Sequence, residues 1–323
     1  MGQQTHGDGG DEGDDGDGLG GNPVVPSGEA PQSGRWRHAW AVSPPRTGKL
    51  IHEGHRLVFD EYGDGPRVVV LLHGLLLSRR MQAPVAEALA ARGYRVLCLD
   101  LLGHGVSDRP RDMWRYSMSI FGEQTVALLD HLEVEQAVVA GTSLGANVAL
   151  EAAVLAPERM RGLVVEMPVL DNALLAVAVV FAPLLVMLTV GEPLARLASR
   201  GARLIPSGIS RLADIPLDAV RQDPGPSGAV LQGLFFGRIA PPRSERRHIE
   251  APALVIGHTR DPIHPFSDSG MLVSELPNGR LLQAHSLLEL RVAPERLIGE
   301  IASFLDACWS SETHRARALR PRA

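Results

Sequence analysis

Short apolar runs alternate with longer stretches of helical composition along most of the chain. His55 to Tyr62 and Arg67 to Leu72 read as strands separated by a turn at Asp64-Gly65, and Tyr94 to Leu99 reads as a buried strand. Further strands are predicted around Val138, at Leu163 to Glu166, at Ala253 to Ile256 and at Arg280 to Ala284. Between them, Met81 to Ala91, Ile120 to Leu132 and Leu144 to Ala156 read as helices. Pro294 to Cys308 closes the series with Leu297, Ile301, Phe304, Leu305 and Cys308 on one stripe. Strands that are apolar almost throughout, alternating with helices, predict an α/β fold: a mostly parallel sheet covered on both faces.

The alternation stops between residues 168 and 247, which read as a helical cap inserted between two strands of a core spanning 51–167 and 248–310. Within the cap, Ala173 to Val190 is apolar apart from Thr189, long enough to raise a membrane span. Pro183 interrupts it and no second span accompanies it, so the preferred reading is a helix lining an apolar pocket, with peripheral membrane contact left open. Residues 1–50 form an acidic, Gly- and Pro-rich segment with almost no apolar periodicity, expected to be a disordered tail. Residues 311–323 read as a short basic tail.

Composition changes this picture in three places. Aromatics make up 4% of the chain against 45% hydrophobic residues, so the core must be built from Val, Leu, Ile and Ala. The net charge of −5 resides in the first 34 residues, which hold seven acids and no Lys or Arg. The remainder is close to neutral, which argues against nucleic acid as a partner. Cys98 and Cys308 fall in apolar surroundings and read as buried thiols. With no basic and apolar leader at the N-terminus, the expected location is the cytoplasm.

The densest chemical signal is Gly141-Thr142-Ser143-Leu144-Gly145, placed between a strand-like and a helix-like run. A serine on so sharp a turn projects its hydroxyl from the sheet at the positive end of a helix. After the second strand comes Leu72-His73-Gly74-Leu75, where a glycine lets the chain turn an amide into the site. The main-chain amides of Leu75 and Leu144 are therefore the candidate oxyanion donors. Asp100-Leu101-Leu102-Gly103-His104-Gly105-Val106-Ser107-Asp108 suits a tight post-strand loop, with His73, His104 and Ser107 fixing structure. No metal-ligand cluster or dinucleotide fingerprint stands out, so no cofactor is expected.

Taken in order, the H-G, the D-x-x-G-H-G-x-S-D and the G-x-S-x-G resemble the α/β-hydrolase superfamily, and the later strands extend the likeness over about residues 51–309. The resemblance implies an eight-stranded sheet, a cap after the sixth strand and a Ser-acid-His triad in that chain order. Ser143 would be the nucleophile, Asp261 after the seventh strand the acid, and His285 after the eighth the base. Ala284 stands where the superfamily usually has glycine before that histidine. His264, in the loop of Asp261, is the reserve base, and Glu166 the reserve acid. Serine at the elbow argues against the haloalkane dehalogenase and epoxide hydrolase branches, which use Asp there. Leu174, Val179, Phe181, Leu185 and Met187 of the cap suggest a small-molecule substrate with an apolar part. The reading is a serine hydrolase of esters, lactones or thioesters. C–C bond hydrolysis and perhydrolysis by the same residues remain open, as does a non-catalytic binding protein of this fold.

Overall fold

The sheet begins earlier than the hydrophobic pattern predicts. The computed structural model describes residues 44–206 and 211–318, with side chains for all of these except 211–213 and 311–318. Its first strand, β1 (Arg46–His52), lies partly inside the stretch expected to be a tail and pairs antiparallel with β2 (His55–Tyr62) along its whole length. Only Leu50 of β1 is buried, so this edge strand carries almost no hydrophobic signature. The rest of the predicted tail, residues 1–43, lies outside the described residues.

From there the chain runs β3 (Arg67–Leu72), α1 (Ala83–Ala90), β4 (Tyr94–Asp100), α2 (Met118–His131), β5 (Ala137–Thr142), α3 (Leu144–Leu155) and β6 (Met160–Glu166). The insertion follows as α4 (Leu174–Thr189), α5 (Glu192–Ala202), α6 (Arg211–Val220), α7 (Pro224–Phe236) and the short α8 (Arg243–Arg246). The core resumes with β7 (Ala253–His258), α9 (Phe266–Glu275), β8 (Gly279–Ala284), the short α10 (Glu289–Val292) and α11 (Glu295–Ala318). The last helix thus continues to Ala318, through much of the predicted basic tail; residues 319–323 lie outside the described residues.

The eight strands order as β1-β2-β4-β3-β5-β6-β7-β8. β2 pairs antiparallel with β1 and β4, and every other pairing is parallel. The central strands are apolar throughout because both faces are covered. On β3, Val68, Val70 and Leu72 pack into the layer that holds Phe121 and Leu128 of α2 and Val148 of α3. Val69 and Leu71 point the other way, toward Val85 and Leu89 of α1 and Leu297, Ile301 and Leu305 of α11. Local signals set the helix starts: Ser117 Oγ accepts the Ile120 amide at the head of α2, and Asp223 with Pro224 opens α7. This topology brings the C-terminal ends of β3, β5, β6 and β7 together beneath the inserted helices.

Candidate active site

Ser143 occupies the sharp turn between β5 and α3 with φ of 55° and ψ of −112°, a conformation disfavoured for any side chain-bearing residue. The flanking glycines make the turn possible. A Cβ on Gly141 would sit 2.1 Å from the main chain of Gly145, and one on Gly145 would sit 2.4 Å from the Leu72 carbonyl oxygen. The strained serine is held by its amide, which donates to the Glu166 carbonyl at 2.9 Å. Leu144 is the first residue of α3, where an amide has no helical carbonyl to bond. Leu75 and Leu144 both border the cavity that contains Ser143.

The surrounding loops are fixed by buried polar contacts. His73 is buried, with Nδ1 against the Gly74 carbonyl and Nε2 accepting the Leu101 amide, and burial pushes its pKa down. Asp100 accepts from the Arg79 and Val106 amides and the Arg79 guanidinium, while Ser107 Oγ bonds the Asp100 carbonyl at 2.6 Å. His104 Nδ1 lies 3.0 Å from the Leu102 carbonyl. These side chains hold the loops in shape, as their sequence context suggests.

The histidine beside the serine is His264. Its Nε2 lies 2.9 Å from Ser143 Oγ, and its Nδ1 lies 2.7 Å from Asp261 Oδ2. Asp261 also accepts the amides of Ile263 and His264 through Oδ1. Burial opposes ionisation of Asp261, but the His264 ring and these two amides outweigh it and hold its carboxyl below the ordinary range. His285, the expected base, is not brought to Ser143. Its side chain is 73% exposed, with Nδ1 4.0 Å from Glu289. The reason lies in the turn after β8: Glu289 accepts the His285 amide and is itself gripped by Arg296, which pins the turn with the imidazole outward.

The inward position of that loop belongs to Arg291, which no sequence signal singled out. Its Nη2 lies 3.0 Å from both Glu166 Oε2 and Thr142 Oγ1, directly behind the Ser143 turn. Glu166, the reserve acid, is therefore engaged elsewhere, with Arg291, with Thr142 at 2.5 Å and with His258 at 3.6 Å. Burial would raise the Glu166 carboxyl, yet Arg291, His258 and Thr142 together hold it down to about 2.

Above Ser143 lies a cavity of about 240 Å³. Leu174 and Phe181 line it as expected, joined by Val177 and Ala178. These four recur at i, i+3, i+4 and i+7 on α4, one helical face. Val179 and Met187 fall on other faces and are exposed, and Leu185 packs instead with Leu76, Leu188 and Leu231. The remaining walls come from Leu231, Leu234 and Phe235 of α7, with Ile239 and Ile263. Among the described lining residues, His264 alone is titratable. The start of α4 is anchored to the core by Asp268, fully buried, whose carboxylate accepts the amides of Leu170, Asn172 and Ala173.

A family model described as alpha/beta hydrolase fold matches residues 67–191, from β3 through the Ser143 turn and into the inserted helices. The chain has the α/β-hydrolase fold. Over 115 residues it is 39% identical to bifunctional epoxide hydrolase 2 of Sus scrofa, covering 35% of this chain and 20% of that one. Over 103 residues it is 36% identical to a 2-hydroxymuconate semialdehyde hydrolase of a Pseudomonas species, covering 32% and 33%. The chain thus spans between a fifth and a third of the length of these curated relatives. Among solved structures, the enol-lactonase of Burkholderia xenovorans superposes with a TM-score of 0.65 at 21% identity, over 80% of this chain and all of that one, a likeness of fold. Within this α/β-hydrolase fold, the sequence placed Ser143 and Asp261 where the structure joins them. It missed Arg291 and the walls from α7. The D-x-x-H spacing of Asp261 and His264, which lets one carboxylate hold both the loop amides and the ring, is the signal that could have raised His264 from reserve to base.

Proposed function

We propose that the chain is a serine hydrolase in which Ser143 is the nucleophile, His264 the general base and Asp261 the residue that orients it. The observation that carries this reading is the continuous chain from Ser143 Oγ through the His264 ring to Asp261, at 2.9 and 2.7 Å. As Ser143 Oγ attacks a carbonyl carbon, His264 Nε2 takes its proton, and the ionised Asp261 stabilises the imidazolium through Nδ1–H. The tetrahedral oxyanion forms at the mouth of the Leu75 and Leu144 amides. Collapse breaks the bond to the leaving oxygen or sulfur, which takes the proton from His264. A water molecule then gives its proton to His264, attacks the acyl-serine, and releases the acid with Ser143 restored.

The cavity favours an uncharged, apolar acyl or lactone group, because its described walls hold no Lys, Arg, Asp or Glu. A carboxylate beside the reacting carbon would find no cation there, which ranks esters, thioesters and lactones above charged C–C hydrolase substrates. A serine in place of a carboxylate at the elbow supports acyl transfer over epoxide opening. Buried thiols at Cys98 and Cys308 suit a reducing, cytoplasmic setting. The test is covalent labelling by a fluorophosphonate probe together with a p-nitrophenyl ester series of increasing acyl length. Labelling confined to Ser143 and a preference for uncharged chains are expected. An unlabelled Ser143 with no turnover of any ester would leave the non-catalytic binding protein as the better reading.

A further inference from the structure

Helix α4 presents two apolar faces. One turns inward, where Leu174, Val177, Ala178 and Phe181 border the cavity and Leu188 is buried. The opposite stripe, Leu175, Val179, Pro183, Val186 and Val190, recurs at helical spacing and is exposed throughout. Leu175 is 77% and Val190 82% exposed, at positions where a helix facing water carries charge. Beyond it, Leu194 and Leu197 of α5 and then Leu204 continue the exposed apolar surface. The whole of residues 172–206 holds one acid, Glu192, against Arg196, Arg200 and Arg203. Glu192 pairs with Arg196 and Arg111, which leaves Arg200 and Arg203 as the positive charge beside the apolar face.

Length and composition would let residues 171–189 cross a bilayer, but the helix is tied down along the protein. Asp268 holds the amides at its start, and Leu188 near its end packs with Leu76 and Leu231. A helix held at both ends lies along an interface rather than across it. We infer that the outer face of α4 and α5 seats on an anionic phospholipid surface, the apolar stripe entering the acyl boundary and the arginines meeting headgroup phosphates. Charge favours lipid over a second copy of the chain, because a twofold contact would bring the same arginine-edged face against itself. Docking stands on this exposed face alone. Its consequence for catalysis rests on the proposed hydrolase: Leu174 and Phe235 are each partly exposed and also line the cavity, so its mouth opens between apolar side chains, Leu174 being next in sequence to Leu175 of the docking face. An ester dissolved in lipid would enter by that route.

The test is co-sedimentation of the full chain with vesicles of phosphatidylcholine alone and with vesicles of equal parts phosphatidylcholine and phosphatidylglycerol. The parent should bind the anionic vesicles about tenfold more tightly than the neutral ones, and less tightly as salt is raised. The variant Leu175→Glu/Val186→Glu/Leu194→Glu/Leu197→Glu should lose that binding while keeping the parent's melting temperature and its rate on a water-soluble short-chain ester. Equal sedimentation of parent and variant overturns the inference. So does a parent that ignores vesicles yet forms a dimer broken by the same substitutions. Should that variant fail to fold, Val190→Cys carrying a polarity-sensitive dye replaces it, since Cys98 and Cys308 are buried. A blue shift on anionic vesicles is expected, and its absence refutes docking. Ser143→Ala separates the two proposals: it should bind vesicles as the parent does. Vesicle binding without any ester hydrolysis by the parent defeats the hydrolase reading alone. Hydrolysis without vesicle binding defeats docking alone.

Discussion

Arg291→Met removes the cation that faces Glu166 behind the Ser143 turn. The guanidinium is 8% exposed and the carboxylate 3%, so neither is shielded by water. Two routes give the cost. Glu166 is held at about 2 against an ordinary 4.5, and a shift of that size corresponds to roughly 3 kcal/mol of preference for the ionised form, with Arg291 the leading favourable contributor. Removing one partner of a buried ion pair independently costs about 3–5 kcal/mol. The lower end applies, because Nη1 of Arg291 is buried with no hydrogen-bond partner among the described residues. For a domain of this size about 3 kcal/mol lowers the melting temperature by roughly 5 °C. The sign with pH follows from the depressed carboxyl. In the parent its stabilisation is complete above the ordinary carboxylate value and is lost as pH falls toward about 2. In the variant the carboxyl protonates at milder acidity, which relieves the unpaired charge, so the gap between the two proteins narrows between about pH 7 and pH 4. Urea unfolding followed by circular dichroism at several pH values measures this. A gap below about 1 kcal/mol at neutral pH, or one that does not change with pH, would refute the reasoning. Adding Glu166→Gln to Arg291→Met should cost less than the sum of the single changes, by about 1–3 kcal/mol.

Three further outcomes are expected. Asp261→Asn should lower ester turnover on the order of 10⁴-fold with little change in melting temperature, because the ring loses its orienting charge; a stopped assay on a soluble ester reads it. Gly145→Ala should cost about 3 kcal/mol or more, since its Cβ would meet the Leu72 carbonyl at 2.4 Å and neither backbone can yield; soluble yield and thermal unfolding report it. Asp268→Ala should raise KM more than it lowers kcat across the ester series, by freeing the start of α4 that walls the cavity.

The fold was legible where burial is two-sided. β3, β4 and β5 pack into both layers and so read as continuous apolar runs, whereas β1 buries only Leu50 and left no trace. The cap was legible as a break in alternation. Its inward face was not, because α4 is apolar all round: Leu174 and Phe181 face the cavity, while Val179 and Met187, equally hydrophobic, do not. Ser143 was legible because its tight turn demands glycines on either side, whereas Asp261 came only from the family resemblance. The histidine was not resolved by its position after a strand. What separates His264 from His285 is the side chain each loop engages: Asp261, three residues earlier, draws the first inward, while Glu289 and Arg296 pin the turn that carries the second outward. Arg291 had no local signature at all, since its partners Glu166 and Thr142 are more than a hundred residues away.

The central claim is that His264 activates Ser143, and the most direct measurement is the second-order rate of fluorophosphonate labelling of Ser143 in the parent, His264→Ala and His285→Ala. A loss on the order of 10⁴-fold or more is expected in His264→Ala, because members of such a triad act as a unit. Labelling within about twofold of the parent is expected in His285→Ala, whose ring stands in solvent. Fast labelling of His264→Ala together with a dead His285→Ala would contradict the claim.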